Sequence, residues 1–371
     1  MMVRDRLSTP FSVVMPIIGV LVVALTWGSE PSWWFTAVLV ALHIVLVLVS
    51  VAHAEVIARR VGEPYGTLVL ALAVTVIEVS LIITLMTSGS SPADTLARDS
   101  IFAVIMIVCN GVVGIALILD ARKDHVVLFN EQGANALLGT VMAIAVLALV
   151  MPSFTSSTQG ATFSGSQLAF SAISAAAIYA VFVYVQAGRH RWMFLSPEAL
   201  AAEAVESTAH VEPHEARVGQ MEGLTTRIVL LLVSLAGVVG LAKTLAPRIE
   251  DVASWAGAPR SFVGVVIALL VLLPESIAAF RAASQGEMQT SLNLSLGSAL
   301  ASIGLTIPAI AVASIWIDSP ITLGLGPKEI VFLALTAILS ILTFGSGRAT
   351  VIQAAQHLLV FSAFLFLSYQ P

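Results

Sequence analysis

VLALAVTVIEVSLIITLM at residues 69–86 and VGVVIALLVLLPESIAAF at residues 263–280 are apolar segments of membrane length, each with a single charged residue, Glu78 in the first and Glu275 in the second. Both carboxylates follow a long apolar run, and a serine stands within two positions after each. A carboxylate at bilayer depth costs about 2.5 kcal/mol or more, so it marks a compensating use. Two of them, in corresponding places of the two halves, point to an ion site at the interface of an internal repeat.

The rest of the chain agrees with a membrane reading. Of its 371 residues 58% are hydrophobic and 11% charged, against about 25% charged in soluble domains. Mean hydropathy is +0.98. The single cysteine, Cys109, lies inside an apolar run, which excludes a disulfide framework and a cysteine-based zinc site. The net charge of −5 resides in loops. The basic N-terminus before an apolar run reads as an uncleaved first span, because no small-residue cleavage pattern follows it.

Roughly 20 apolar residues cross the hydrocarbon core. Eleven segments qualify, at about 11–27, 33–52, 66–86, 100–119, 133–151, 166–186, 226–245, 261–281, 290–315, 321–343 and 350–368. With the N-terminus cytoplasmic, twelve of the 17 Lys and Arg residues fall inside and five outside. That is the bias expected of cytoplasmic loops. The sequence therefore predicts an all-α polytopic membrane protein in a bacterial inner membrane, with its C-terminus outside. The one long loop, 187–225, carries Glu198, Glu203, Glu206, Glu212, Glu215 and Glu222 and reads as an acidic cytoplasmic segment that starts as a helix. His210 and His214 lie in it, but Pro213 breaks the helix that would align them on a metal.

Setting residues 1–32 aside as one extra helix leaves two groups of five spans, 33–186 and 226–371. An odd number per group makes the second group enter from the opposite side, an inverted 5+5 repeat. Glu78 and Glu275 each lie in the second span of their group. Glu78 is 12 residues past Gly66 and Glu275 is 14 past Ser261, or about 18 and 21 Å along a helix. Both depths are near the midplane. The following spans offer polar partners: Asn110 in the first group, and Asn293, Ser295, Ser298 and Ser302 in the second.

These segments resemble a known family. GEPYGTLVLALAVTVIEVSLIITLM (62–86), IMIVCNGVVG (105–114), GANALLGTVMAIAVLALVMPSF (133–154) and the stretch from Leu270 to Ile310 are similar to bacterial calcium/proton antiporters of the ChaA type, in the cation/calcium exchanger superfamily. The resemblance covers nearly the whole chain. It implies two repeats that cross at the midplane and supply a cation site. Glu78 and Asn110 would represent the first repeat, and Glu275, Ser298 and Ser302 the second. GSAL at 297–300 matches the superfamily's second-repeat pattern. The GNxxE pattern reads VTVIE at 74–78 and VLLPE at 271–275, without its Gly and Asn.

The chemistry follows from the donor types. A hard cation takes six to eight oxygens from carboxylates, amides, hydroxyls, carbonyls and water. Two glutamates neutralise one Ca²⁺, and Asn110 and the serines add neutral oxygens. Pro274 cannot donate to the carbonyl of residue 270, which frees another oxygen. Burial favours a protonated carboxyl group and a cation favours the ionised one, so protons and cation compete for one site. The expected activity is exchange of Ca²⁺ for protons. A monovalent exchanger of Na⁺ or K⁺ for H⁺ is the alternative. The expected partners are inorganic cations, protons and the lipid bilayer, with no cofactor and no nucleic acid.

Further residues carry two readings each. His43 and His357 lie within spans and are either proton carriers or hydrogen-bonded packing residues. Glu55 and Glu63, near Arg59 and Arg60, form either a cation funnel or a solvated rim. Glu131 precedes the fifth span, at its entrance. Two other function classes are weaker. An intramembrane hydrolase would need a Ser–His pair, and Gly345-Ser346-Gly347 before His357 is the only trace of one. A channel would need a filter, and no segment reads as one. The sequence thus points to a transporter rather than an enzyme.

Overall fold

The computed structural model describes residues 10–29, 31–61, 65–88, 95–124, 126–188, 190–196, 200, 224–316 and 321–371. Glu63 and the acidic part of the central loop, including Glu198 to Glu222 and the two loop histidines, lie outside the described residues. The described chain is almost wholly helical. Helices α1 to α3 are Pro10–Thr26, Trp33–Val61 and Tyr65–Ser88. Helices α4 (Leu96–Met106) and α5 (Val113–Asp124) are joined by a π-helical turn, Ile107–Val112, into one span. Next come strand β1 (Val126–Leu128), α6 (Glu131–Ala145) with a π turn at Val146–Val150, and α7 (Gly165–Ala187). The second half holds α8 (Leu224–Trp255), α9 (Arg260–Val271), α10 (Leu273–Gln285), α11 (Met288–Ala313) and α12 (Pro327–Phe344). Strand β2 (Arg348–Thr350) and α13 (Val351–Tyr369) complete it.

Eight of these spans are long and apolar enough to cross a membrane, and α9 with α10 forms a ninth, bent by 57°. The remaining two predicted segments coincide with α1 and α3. The tenth segment is shorter than its sequence suggests. Residues 321–326 run extended instead, with Gly324 N–H donating to Ala161 O and Leu325 N–H to Leu149 O. The helix starts at Pro327, whose fixed φ suits a first helical position and whose missing N–H is no loss there.

Contacts at the helix ends sort into two faces. Where α1 begins, His53 of α2 bonds Ser12 O at 2.9 Å and meets Arg227 of α8 at 3.4 Å. Strands β1 and β2 pair antiparallel, Val126 with Thr350 and Leu128 with Arg348, which brings the C-terminal ends of α5 and α12 together. The opposite face holds Arg248 on Pro31 O, Arg98 on Gly324 O and Tyr369 on Ala256 O. Trp27, Trp33, Trp34, Trp255 and Trp316 are exposed near helix ends, where tryptophan is enriched in membrane proteins.

The packing follows the repeat. The first helices of the two groups, α2 and α8, lie against each other, bridged by Ser50 and Ser234 at 2.8 Å. Helix α3 packs on α11, and its counterpart α9 packs on α4. Helix α7 packs on α11, and its counterpart α13 packs on α5 and the π turn. The α4–α5 span and α11 are therefore the two central helices. Around them forms the larger apolar core, while a second core joins α1, α2, α3, α8 and α9. The α9–α4 contact is close at Gly264, where a Cβ would stand 2.9 Å from Ser100 N and 3.0 Å from the Asp99 carbonyl carbon.

Backbone cannot yield as a flexible side chain can. Gly264→Val is expected to lower stability in detergent by about 1–3 kcal/mol, read as a lower melting midpoint. Gly139→Ala is the control, because a Cβ there meets nothing within 4 Å, and it should leave the midpoint unchanged or raised.

Candidate cation site

Glu78 sits in the middle of α3, in an unbroken helix, and is 1% exposed. Its neighbours Val74, Ile77 and Val79 are buried and apolar. Polar contact comes from α11, where Ser302 Oγ donates to Glu78 Oε2 at 2.5 Å. Thr306, four residues further on, is fully buried and is the next hydroxyl beside the carboxylate. Neither Thr306 Oγ1 nor Glu78 Oε1 has a hydrogen-bond partner. Unpaired buried oxygens are uncommon and each asks for a reason. Here they stand together.

Glu275 reaches the same region by a different route. Pro274 removes the N–H that would bond Leu270 O, and the helix breaks between α9 and α10. Glu275 therefore lies in the first turn of α10, where free backbone N–H groups and the helix dipole favour a negative charge. It interacts with its own backbone N–H, and the nearby acidic charges are Glu78 and Glu55. The residue is half-buried, and its Oε2 is fully buried without a partner. Helix α10 closes on Gly286 in the left-handed conformation, φ 85°, with Gly286 N–H on Ala283 O and Glu287 N–H on Ala282 O.

The remaining predicted ligands divide. Ser302 bonds Glu78. Ser298 is half-buried one turn before it, beside Gly297, where an added Cβ would meet open space. Ser298, Ser302 and Thr306 recur every four residues and so share one face of α11. Thr306 belongs to that stripe, and the spacing could have revealed it. Asn110 hydrogen-bonds neither glutamate. Its Nδ2 donates to Thr336 Oγ1 at 2.9 Å, and its Oδ1 meets His357 Nδ1 at 3.2 Å. His357 Nε2 pairs with Thr343 Oγ1 at 3.0 Å, so both of its ring nitrogens are engaged. The four residues are wholly buried. Gly111 and Gly114 let α13 come close enough for this, since a Cβ at either would press on Phe361 or Leu358.

His43 is elsewhere. It is buried in α2, its Nδ1 lacks a partner, and it lines a small cavity with Ile77 and Pro274. Glu55 is exposed toward the C-terminal end of α2, and Glu131 is exposed at the start of α6 beside the Gly347 turn. Asn293 donates to Phe194 O at 2.6 Å and so holds the segment after α7, away from the carboxylates. Among the described residues no group of three or more His, Cys, Asp or Glu side chains forms. The polar groups around Glu78 and Glu275 offer carboxylate and hydroxyl oxygens, the donor types that a hard cation takes.

The family model described as sodium/calcium exchanger protein matches residues 31–188 and 226–370. A putative ionic transporter, y4hA, of Sinorhizobium fredii (strain NBRC 101917 / NGR234) is 37% identical over 372 residues, covering 100% of this chain and 98% of the relative. The sodium-potassium/proton antiporter ChaA of Escherichia coli (strain K12) is 33% identical over 358 residues, covering 95% of this chain and 94% of the relative. Among solved structures, native YfkE superposes with a TM-score of 0.69 at 16% identity, covering 97% of this chain and 99% of that one. The H⁺/Ca²⁺ exchanger CAX gives 0.67 at 14% identity, covering 95% and 90%. At these identities the solved structures speak for the fold. The full-length relatives and the family match establish membership. The chain belongs to the sodium/calcium exchanger protein family, as a multi-pass membrane transporter.

Proposed function

We propose that this chain is a secondary antiporter that exchanges a small inorganic cation for protons at Glu78 and Glu275. The observation that carries the reading is the set of unpaired buried oxygens on Glu78, Glu275 and Thr306. A carboxyl group that binds a proton satisfies one such oxygen, and a cation satisfies several at once. Occupancy by one excludes the other, which is the requirement for exchange.

The first reading of the cargo is Na⁺ or K⁺. Its support is ChaA, whose printed activity is sodium-potassium/proton antiport. One monovalent ion with one retained proton balances two carboxylates. The engagement of Asn110 with Thr336 and His357 also leaves fewer neutral oxygens than Ca²⁺ commonly takes. Ca²⁺ is the second reading, favoured by the two carboxylates themselves, which match a divalent charge without a retained proton. In either case the protein works in a bacterial inner membrane, with the β1–β2 face in the cytoplasm. The excess of Lys and Arg in the loops of that face supports this.

Transport in proteoliposomes under an imposed pH gradient tests the reading, with Na⁺, K⁺ and Ca²⁺ compared. Glu78→Gln and Glu275→Gln should each reduce proton-coupled uptake to background while the protein stays monodisperse, because Gln keeps the size but cannot exchange a proton. Normal coupled uptake by either variant would remove that glutamate from the site. Cation flux that ignores the pH gradient would favour a channel.

Competition also fixes a sign. Protons hold the empty site, so apparent cation affinity should fall as pH drops on the binding side, by about tenfold per pH unit for each competing proton. An affinity independent of pH would separate the proton from the cation site.

Orientation is read by thiol labelling. Cys109 is fully buried and gives little background. Ser156→Cys, exposed in the α6–α7 loop, should react with an impermeant maleimide in intact cells. Ser346→Cys, exposed next to β2, should react only after permeabilisation. The reverse pattern would invert the proposed topology.

A further inference from the structure

We propose that His357 is a positioning residue for exchange: through Asn110 it fixes the π turn Ile107–Val112, and that turn sets how α10 and α11 present Glu275 and Ser302 to a cation. This rests on the antiport reading above and adds a residue that lies outside the site.

The turn leaves the α-helical pattern at a definite bond. Val113 N–H, which an α-helix would give to Cys109 O, goes to Val108 O and Asn110 O instead. Single π turns inside α-helices are uncommon and are frequent at functional sites. His357 reads this irregular stretch directly. It meets the Cys109 backbone carbonyl, and its Nδ1 lies 3.2 Å from Asn110 Oδ1. An amide oxygen only accepts, so Nδ1 carries the imidazole proton. Nε2 of the neutral ring then accepts from Thr343 Oγ1 at 3.0 Å. From Asn110 the chain runs on through Nδ2 to Thr336 Oγ1 at 2.9 Å, and from Thr336 to Met106 Sδ at 3.5 Å, just before the turn. Every bond points the same way, from Thr343 to Met106, and such chains polarise and strengthen their members.

Four helices besides its own span pack on this turn. Helices α12 and α13 supply the bonds that hold it, and α13 comes close because Gly111 and Gly114 carry no Cβ. Helices α10 and α11 are the other two. Glu275 stands in the first turn of α10, and Ser302 of α11 is the hydrogen-bond partner of Glu78. The shape of the turn therefore bears on both halves of the site. Asn110 bonds neither glutamate, so His357 acts through the placement of backbone and not as a ligand. Nothing in this role asks the imidazole to change its charge. A site of this kind needs its groups held to within about 0.5 Å, and packed, hydrogen-bonded neighbours supply that precision.

The test uses the whole protein in proteoliposomes, with maximal exchange rate and apparent affinity for Na⁺, K⁺ and Ca²⁺ measured at one pH. His357→Leu removes both nitrogens. Apparent affinity for the transported cation should weaken by about tenfold, as it does when a residue that orients a cation site without touching the ion is lost. His357→Asn puts an amide nitrogen near the place of Nδ1, keeps the bond to Asn110 and should keep the wild-type affinity. His357→Gln reaches toward Thr343 instead and should resemble His357→Leu. Adding His357→Leu to Asn110→Leu should cost no further affinity, because both act through one bond. A residue that only stabilises the fold would change the yield of active protein and the maximal rate, and would leave affinity alone. Wild-type affinity in His357→Leu would overturn the proposal. So would additive losses in the double variant. If His357→Leu does not fold, the comparison of His357→Asn with His357→Gln decides, and equal affinities in those two would overturn the proposal. Any of these results with normal exchange by the wild type overturns only this inference. Absence of proton-coupled exchange in the wild type overturns the antiport reading and this inference together.

Discussion

Hydrocarbon offers no water to a carboxylate or to an unpaired backbone group, and the architecture around the site follows from that. A polar group at depth finds a partner inside the protein or is left with an open valence, as Glu78 Oε1, Glu275 Oε2 and Thr306 Oγ1 are. Glu78 finds one in Ser302, which requires α11 to lie against α3 with its hydroxyl stripe turned inward. Helix α11 can hold that central place because small residues at Ala299, Ala301 and Gly304 let α3, α6 and α7 approach it. A Cβ at Gly304 would already press on Tyr179. The buried acid and the close packing of α11 are thus parts of one solution.

The two halves solve the same problem differently. The first keeps its helix whole and surrounds Glu78 with hydroxyls. The second breaks its helix at Pro274 and gives Glu275 the start of α10. One acid is sealed and the other is half-buried. Under the proposed exchange, carboxylates in such unlike surroundings would give proton and cation unlike preferences for the two positions. In a strictly symmetric pair neither ion would have a preferred order of arrival or departure.

Polar residues away from the carboxylates serve a second purpose. Asn110, Thr336, Thr343 and His357 close a buried network between the central π turn, α12 and α13. A fully satisfied network of this kind rigidifies what it joins. It fixes the fourth span against the last helix, next to the turn that carries Asn110. On the cytoplasmic side of the proposed orientation, Gln289 bonds both Asn130 N and Asn293, which in turn holds Phe194 O. These clamps hold the scaffold while the site itself keeps open valences.

The sequence alone determined the class and the register of the repeat. Apolar length set the spans, and a lone glutamate stands in the second span of each half. Those signals are local or periodic, so they survive without coordinates. Pro274 likewise announced the helix break, because its missing N–H is a covalent fact. The sequence could also have shown Thr306, which continues the four-residue spacing of Ser298 and Ser302. It could not show that Asn110 turns to His357, since that depends on how α13 settles against Gly111 and Gly114. Nor could it separate the two membrane histidines. Both stand in apolar helices with nothing nearby in sequence to pair with. Only the packing of α12 and the α4–α5 span gives His357 two partners, and only the bend at Pro274 leaves His43 facing a cavity. Which polar groups are satisfied is decided by residues far apart in the chain, and that is the information tertiary structure adds.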